Sequence, residues 1–196
     1  MLDARQELLE LLVTLSYKEG SFTLASGAHS DYYVDCRATT LDARGAWLTG
    51  RVVLDLIRQH GWEPDAIGGM TLGADPMVIS TALLSAQDLA VVGESAGKAI
   101  RGFLVRKAEK AHGTQRRIEG FSQAGARVVV VDDVCTTGGS TLQALEAVRA
   151  AGMVPMAVIC LVERERSGMD NIAAAVDGAP VLSVFTVPDL RAVYRR

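Results

Sequence analysis

Val128-Val129-Val130-Val131-Asp132-Asp133-Val134-Cys135-Thr136-Thr137-Gly138-Gly139-Ser140-Thr141 is the stretch whose reading decides the fold. An unbroken run of β-branched residues reads as a strand buried on both faces, the pattern of a parallel sheet interior. Two carboxylates close the run. A turn of Thr, Gly and Ser follows, and an amphipathic helix begins near Ser140. That order builds a site for a sugar phosphate. The helix N-terminus and the small-residue turn present backbone N–H donors to a phosphate, and the glycines let the backbone approach closely. Asp132 and Asp133, when ionised, only accept hydrogen bonds, which suits sugar hydroxyls or waters on a metal. An ordinary buried strand whose aspartates cap the helix is the bland alternative. A Walker A loop requires Gly-Lys-Ser/Thr, and no lysine follows Gly139; a dinucleotide fingerprint needs differently spaced glycines.

Outward from this stretch, residues 127–134, a helix over 140–151 ended by Gly152, and a strand over 154–162 form a β-α-β unit. Upstream, Leu8, Leu11, Leu12 and Leu15 share one face of an expected helix over 2–19. A short strand is expected at 31–35, and a second amphipathic helix over 42–60, ended by Gly61. Residues 66–69 read as a strand entering a turn, and 75–86 as a helix with Pro76 in its first turn. Residues 89–93 and 101–106 read as extended. Downstream come a short helix near 168–176, a strand at 181–185 and a terminal turn. Strands alternating with helices imply an α/β fold with a mainly parallel sheet flanked by helices, and ligands in such sheets sit beyond the carboxyl ends of the strands. No repeat or linker interrupts 1–196, so a single domain is expected.

Composition narrows the function classes. With 49% hydrophobic and 22% charged residues the chain has the balance of a globular protein. Its formal net charge of -3 offers no overall basic footprint for nucleic acid. Cys36, Cys135 and Cys160 are too few and too unevenly placed for a disulfide framework and form no C-x-x-C zinc pair. Cys135 lies within the phosphate turn; packing as a small apolar residue is favoured over a reactive role. The first residues lack a signal-peptide pattern, and uncharged apolar runs are too short to span a bilayer. The expectation is a cytoplasmic protein without a membrane partner.

Arg106-Lys107-Ala108-Glu109-Lys110-Ala111-His112-Gly113-Thr114-Gln115-Arg116-Arg117 is strongly cationic within a mildly acidic chain. Charge runs are usually solvated surface, but several phosphates need several cations, and Arg106, Lys107, Lys110 and His112 supply them. A loop of this kind closing over a substrate excludes water.

The phosphate turn resembles the 5-phosphoribosyl 1-diphosphate (PRPP) loop of type I phosphoribosyltransferases. Arg106-Lys107-x-x-Lys110-x-His112-Gly113 resembles the flexible catalytic loop of the orotate phosphoribosyltransferases, and Arg117-Ile118-Glu119-Gly120 its exit. Phe22-Thr23-Leu24-Ala25-Ser26-Gly27 and Ser30-Asp31-Tyr32-Tyr33-Val34-Asp35-Cys36-Arg37 resemble that family's N-terminal substrate segment. Gly68-Gly69-Met70-Thr71-Leu72-Gly73-Ala74-Asp75-Pro76 resembles the turn beside the leaving pyrophosphate, and Arg164 stands where the family carries an orotate-contacting arginine. The resemblance covers nearly the whole chain in matching order. Two positions depart from it: Ala25 stands where many members have Lys, and Leu72-Gly73 where many have Tyr-Lys.

What the resemblance implies is a type I phosphoribosyltransferase fold with a small N-terminal hood, drawn mainly from residues 1–40 and the C-terminal segment, and transfer from PRPP to orotate with Mg2+. It implies Lys107, Asp132 and Asp133 as catalytic residues. PRPP is then held by these three with Arg106, Lys110, His112, Val134, Cys135, Thr136, Thr137, Gly138, Gly139 and Ser140. Orotate is held by Thr136 and Arg164, and magnesium through substrate and water without direct protein ligands. It further implies a homodimer in which loop 106–117 is shared across subunits. A phosphoribosyltransferase for another base, and a non-catalytic PRPP-sensing regulator, are the competing readings; the loop cations and Arg164 favour orotate.

Overall fold

A computed structural model describes residues 3–23, 27, 29–107 and 117–196, with Glu94 as backbone only. Lys110 and His112 therefore lie outside the described residues, as do Leu24, Ala25 and Ser26.

Helix α1 (Ala4–Leu15) buries Leu8, Leu9 and Leu12. It stops four residues short of the expected end. Ser16 leaves the helix, its hydroxyl sharing a 2.7 Å hydrogen bond with that of Thr39 and its carbonyl accepting from Asp35 N–H. The chain then enters β1 (Tyr17–Thr23), which pairs antiparallel with β2 (His29–Val34), from Tyr17 opposite Val34 to Thr23 opposite His29. A single turn, α2 (Arg37–Thr40), precedes α3 (Ala43–Gln59), whose N-cap Asp42 accepts from the backbone N–H groups of Arg44 and Gly45.

Strand β3 (Ala66–Met70) leads into α4 (Asp75–Val92), which carries Pro76 in its first turn and is capped by Gly93, where φ is 71°. The extended segment expected at 89–93 is thus the last turn of this helix: its valines face outward rather than pairing, Val91 being 76% exposed. Strand β4 (Arg101–Val105) follows, then a short β5 (Ile118–Gly120), β6 (Arg127–Cys135), α5 (Gly139–Ala150), β7 (Val154–Glu163), α6 (Arg166–Ala175) and β8 (Val181–Thr186). The chain ends in α7 (Val187–Tyr194), a helix where a terminal turn is expected. Thr186 caps it: its side chain accepts from Asp189 N–H while the Asp189 carboxylate accepts from Thr186 N–H, a reciprocal capping box.

Among the described residues the larger sheet runs β5-β4-β3-β6-β7-β8, parallel throughout except for β5 against β4. The valine run is its centre. Val129 and Val131 join one apolar layer with Leu48, Ile57, Ile67 and Ile159; Val128 and Val130 join the opposite layer with Phe103, Leu145 and Val148. Side chains two apart share a face, so four consecutive valines feed both layers. Cores on both faces leave the carboxyl ends of β3, β6 and β7 as the open rim. Among the described residues no helix is long and apolar enough to cross a membrane.

Candidate active site

The rim holds a cavity of about 550 Å3. Tyr33, Val34, Asp35 and Arg37 line it from the end of β2, and Met70, Thr71, Leu72 and Gly73 from the turn after β3. Lys107 stands at the loop mouth, Asp132, Asp133, Val134, Thr136 and Ser140 at the end of β6, and Arg164 after β7.

Asp132 is 5% exposed. Its Oδ2 accepts from the Thr141 hydroxyl at 2.7 Å, and its Oδ1 from Asp133 N–H at 3.1 Å. Burial pushes the Asp132 carboxyl up to about 6; the Thr141 hydrogen bond opposes that rise and the Asp133 charge adds to it. Burial also raises the Asp133 carboxyl, offset by the hydrogen bond from Val134 N–H to Oδ1 at 3.0 Å and by the Arg37 charge. Gly73 presses on this pair: a Cβ there would lie 2.2 Å from Asp133 Oδ1.

After β6 the chain turns sharply. Gly138 has φ of 80°, and a Cβ on it would meet the Gly168 carbonyl at 2.8 Å, so both conformation and the approach of α6 require glycine. Asn171 on α6 donates to the Thr137 carbonyl at 3.2 Å, bracing the turn from outside. The first turn of α5 follows directly, and the N–H groups of such a turn have no partner within their own helix. The Cys135 carbonyl accepts from Arg164 N–H at 2.8 Å, which ties the turn after β7 to that after β6 and sets where Arg164 begins.

The sequence expectations divide accordingly. Lys107, Asp132, Asp133, Val134, Thr136, Ser140 and Arg164 meet at the cavity. Thr137, Gly138 and Gly139 shape the turn behind it. Cys135 is 1% exposed and faces the core beside Cys160, whose hydrogen bond lowers the Cys135 thiol pKa, so only its backbone serves the site. Arg106 stands at the base of the basic loop, its backbone N–H donating to Arg117 and its guanidinium reaching Glu119 at 3.4 Å, away from the cavity wall.

The two adjacent tyrosines separate. Tyr33 is 42% exposed and lines the cavity, whereas Tyr32 lies behind it. Two guanidiniums lie over the Tyr32 ring, Arg164 Cζ 5.3 Å and Arg191 Cζ 5.4 Å from its centroid. Arg191, on α7, also donates to Tyr17 Oη at 3.2 Å and to Asp31 at 3.0 Å, and Arg195 donates to Glu19 at 3.2 Å. Sequence reasoning gave no role to Asp35 and Arg37. Their acid-x-base spacing at the end of a strand was the available signal.

A family model described as "Phosphoribosyl transferase domain" matches residues 96–188, from just before β4 into α7. The orotate phosphoribosyltransferase of Thermosynechococcus vestitus is 43% identical over 195 residues, covering 99% of this chain and 96% of its own. The chain belongs to the orotate phosphoribosyltransferase family. The crystal structure of the Mycobacterium tuberculosis family member with Fe(III) dicitrate superposes with a TM-score of 0.79 at 39% identity, covering 96% of this chain and 99% of that one. The structure of the same enzyme in complex with PRPP gives 0.75 at 35% identity, again over 96% and 99%. The fold is thus that of the type I phosphoribosyltransferases.

Proposed function

We propose that this chain transfers the 5-phosphoribosyl group of PRPP to orotate, giving orotidine 5′-monophosphate and pyrophosphate, a step of pyrimidine nucleotide synthesis. The observation that carries the reading is the cavity itself: an acid pair, a phosphate-type turn on a helix N-terminus and the Arg164 guanidinium share one space.

The 5-phosphate sits on the backbone N–H groups of residues 136–140, where anions are favoured by the helix dipole and by unpaired donors. Asp132 and Asp133 accept from the ribose 2′ and 3′ hydroxyls. Arg164 offers a planar fork to the orotate carboxylate or ring oxygens, with Thr136 beside it and Tyr32 backing the guanidinium. As the bond to diphosphate breaks, positive charge develops on the ribose ring and negative charge on the leaving group. Lys107, with Lys110 and His112 from the same loop, meets that negative charge, and preorganised charges of this kind act most strongly on the transition state.

Magnesium fits this donor set. Asp132 and Asp133 offer hard oxygen atoms whose raised carboxyl pKa values reflect desolvation. Magnesium prefers oxygen ligands and keeps water ligands, so substrate oxygens and water would supply most of its shell. Bound there, it would neutralise charge on the diphosphate.

The protein acts as a homodimer in which loop 106–117 is shared across subunits. Mixing Lys107→Ala and Asp133→Ala chains restores activity in heterodimers if sites are shared; none in proven heterodimers refutes it. The reaction is tested by following orotate ultraviolet absorbance with PRPP and magnesium, beside controls lacking PRPP or offering uracil or a purine. PRPP-dependent loss of orotate is expected. Turnover of a different base alone would overturn the assignment of Arg164.

A further inference from the structure

Arg37 lines the cavity yet has no part in the scheme above. Its guanidinium meets the Asp35 carboxylate side-on, Nε donating to Oδ1 and Nη2 to Oδ2, both at 2.8 Å, while its backbone N–H reaches Oδ1 at 3.1 Å. Asp35 therefore fixes the plane of the fork through one edge. Among the described residues Nη1 has no hydrogen-bond partner, and the side chain is 49% exposed. Exposed ion pairs contribute little to stability, so the order of this pair is not accounted for by holding the fold together.

Its surroundings point to an anion. The Arg37 charge acts on Asp133, and Gly73 packs directly against Asp133, so Arg37, Asp133 and the turn after β3 share one wall. That turn brings no cation: Leu72 is apolar, and the space a side chain at 73 would take is filled by the Asp133 carboxylate. The wall otherwise carries the carboxylates Asp35, Asp132 and Asp133. A polyphosphate entering beside three carboxylates requires a fixed cation on their side, and Lys107 approaches from the loop mouth instead.

We propose that Arg37 binds the diphosphate of PRPP, its unengaged Nη1 edge donating to a phosphate oxygen while Asp35 holds the opposite edge. This rests on the functional reading above. A guanidinium can serve both partners at once because its donors lie in one rigid plane; a lysine ammonium lacks that geometry.

Calorimetric titration with magnesium pyrophosphate, and separately with orotidine 5′-monophosphate, tests it. Arg37→Ala is expected to weaken pyrophosphate binding at least about tenfold, the scale of one charge-assisted hydrogen bond. Arg37→Lys should fall between the two, and orotidine 5′-monophosphate should bind within twofold of the parent. Pyrophosphate affinity within twofold of the parent in Arg37→Ala overturns the proposal, as does equal weakening of both ligands, which marks general damage to the site. The parent's orotate turnover is read in the same preparation. Its absence, with Arg37-dependent pyrophosphate binding intact, refutes the orotate reading and supports Arg37.

Discussion

Replacing Gly73 by Ala should damage catalysis while leaving the protein folded. The added Cβ would fall 2.2 Å from Asp133 Oδ1 and 2.6 Å from its Cγ, whereas ordinary contact begins at 3.4 Å. The carboxylate must therefore retreat by about 1 Å, the difference between 3.4 and 2.2. Asp133 has little room for that, because its Oδ1 is also held by Val134 N–H at 3.0 Å. A reacting group displaced by about 1 Å costs on the order of 10²-fold in rate, or about 2.7 kcal/mol of transition-state stabilisation. Overpacking one methyl group destabilises by about 1–3 kcal/mol, which leaves the protein folded. Initial rates of orotate loss at varied PRPP should show kcat/KM for PRPP lowered about 10²-fold, and thermal unfolding a modest decrease in Tm. A variant within twofold of the parent in kcat/KM would refute the contact between Gly73 and Asp133 as a constraint on the reaction.

Thr141→Val removes the hydroxyl that donates to buried Asp132 Oδ2; a loss of about 1.5–3 kcal/mol by urea denaturation at pH 8 is expected. Because burial holds the Asp132 carboxyl near 6, its ionised form predominates above that pH, and kcat/KM for PRPP should fall as pH drops through about 6. Thr141→Val should move that fall to higher pH, and an unmoved profile would count against Asp132 as its source. The same raised pKa means that ionised Asp132 opposes folding: its cost is full above about 6, up to about 3 kcal/mol, and vanishes below the ordinary value of 3.8. Urea denaturation of parent and Asp132→Asn should therefore differ more at pH 8 than at pH 4. Lys107→Ala should lower kcat by about 10²–10³; turnover within twofold would exclude it from the transition state. Arg164→Ala should raise the orotate KM while PRPP binding persists, and equal loss of both would contradict a role on the base.

The centre of the fold was legible because its residues permit few alternatives. Four valines, two acids and a Thr-Gly-Ser turn cannot be a helix, and Gly152 marks the end of α5 as plainly as Gly61 marks that of α3. The periphery was less so. Tyr17–Thr23 is polar and carries Gly20, and it becomes a strand only by pairing with His29–Val34, a partner that local pattern does not reveal. Residues 89–93 read as extended because valines favour strands, although Gly93 is the stop signal of a helix. The helix after β8 was announced by Thr186, Pro188 and Asp189, the capping-box spacing, yet its few residues suggested only a turn. At the site, residue types drew attention to Asp132, Asp133 and Lys107, and the family resemblance to Arg164; all four line the cavity. The inward turn of Cys135, the outward turn of Arg106 and the split between Tyr32 and Tyr33 depend on packing across elements distant in sequence.

The tie between the last helix and the first hairpin bears on the order in which the protein is made. Arg191 and Arg195 reach Tyr17, Asp31 and Glu19 across more than 150 residues, and Arg191 stacks on the ring that backs Arg164. During synthesis the central sheet is complete in sequence before these arginines emerge. The wall that carries Tyr32 gains this brace only after the sheet has been made, so it is completed later than the centre of the fold. A ribosome-held intermediate would possess the phosphate turn and its acid pair while still lacking the brace behind Arg164. Competence toward the sugar phosphate would precede competence toward the base.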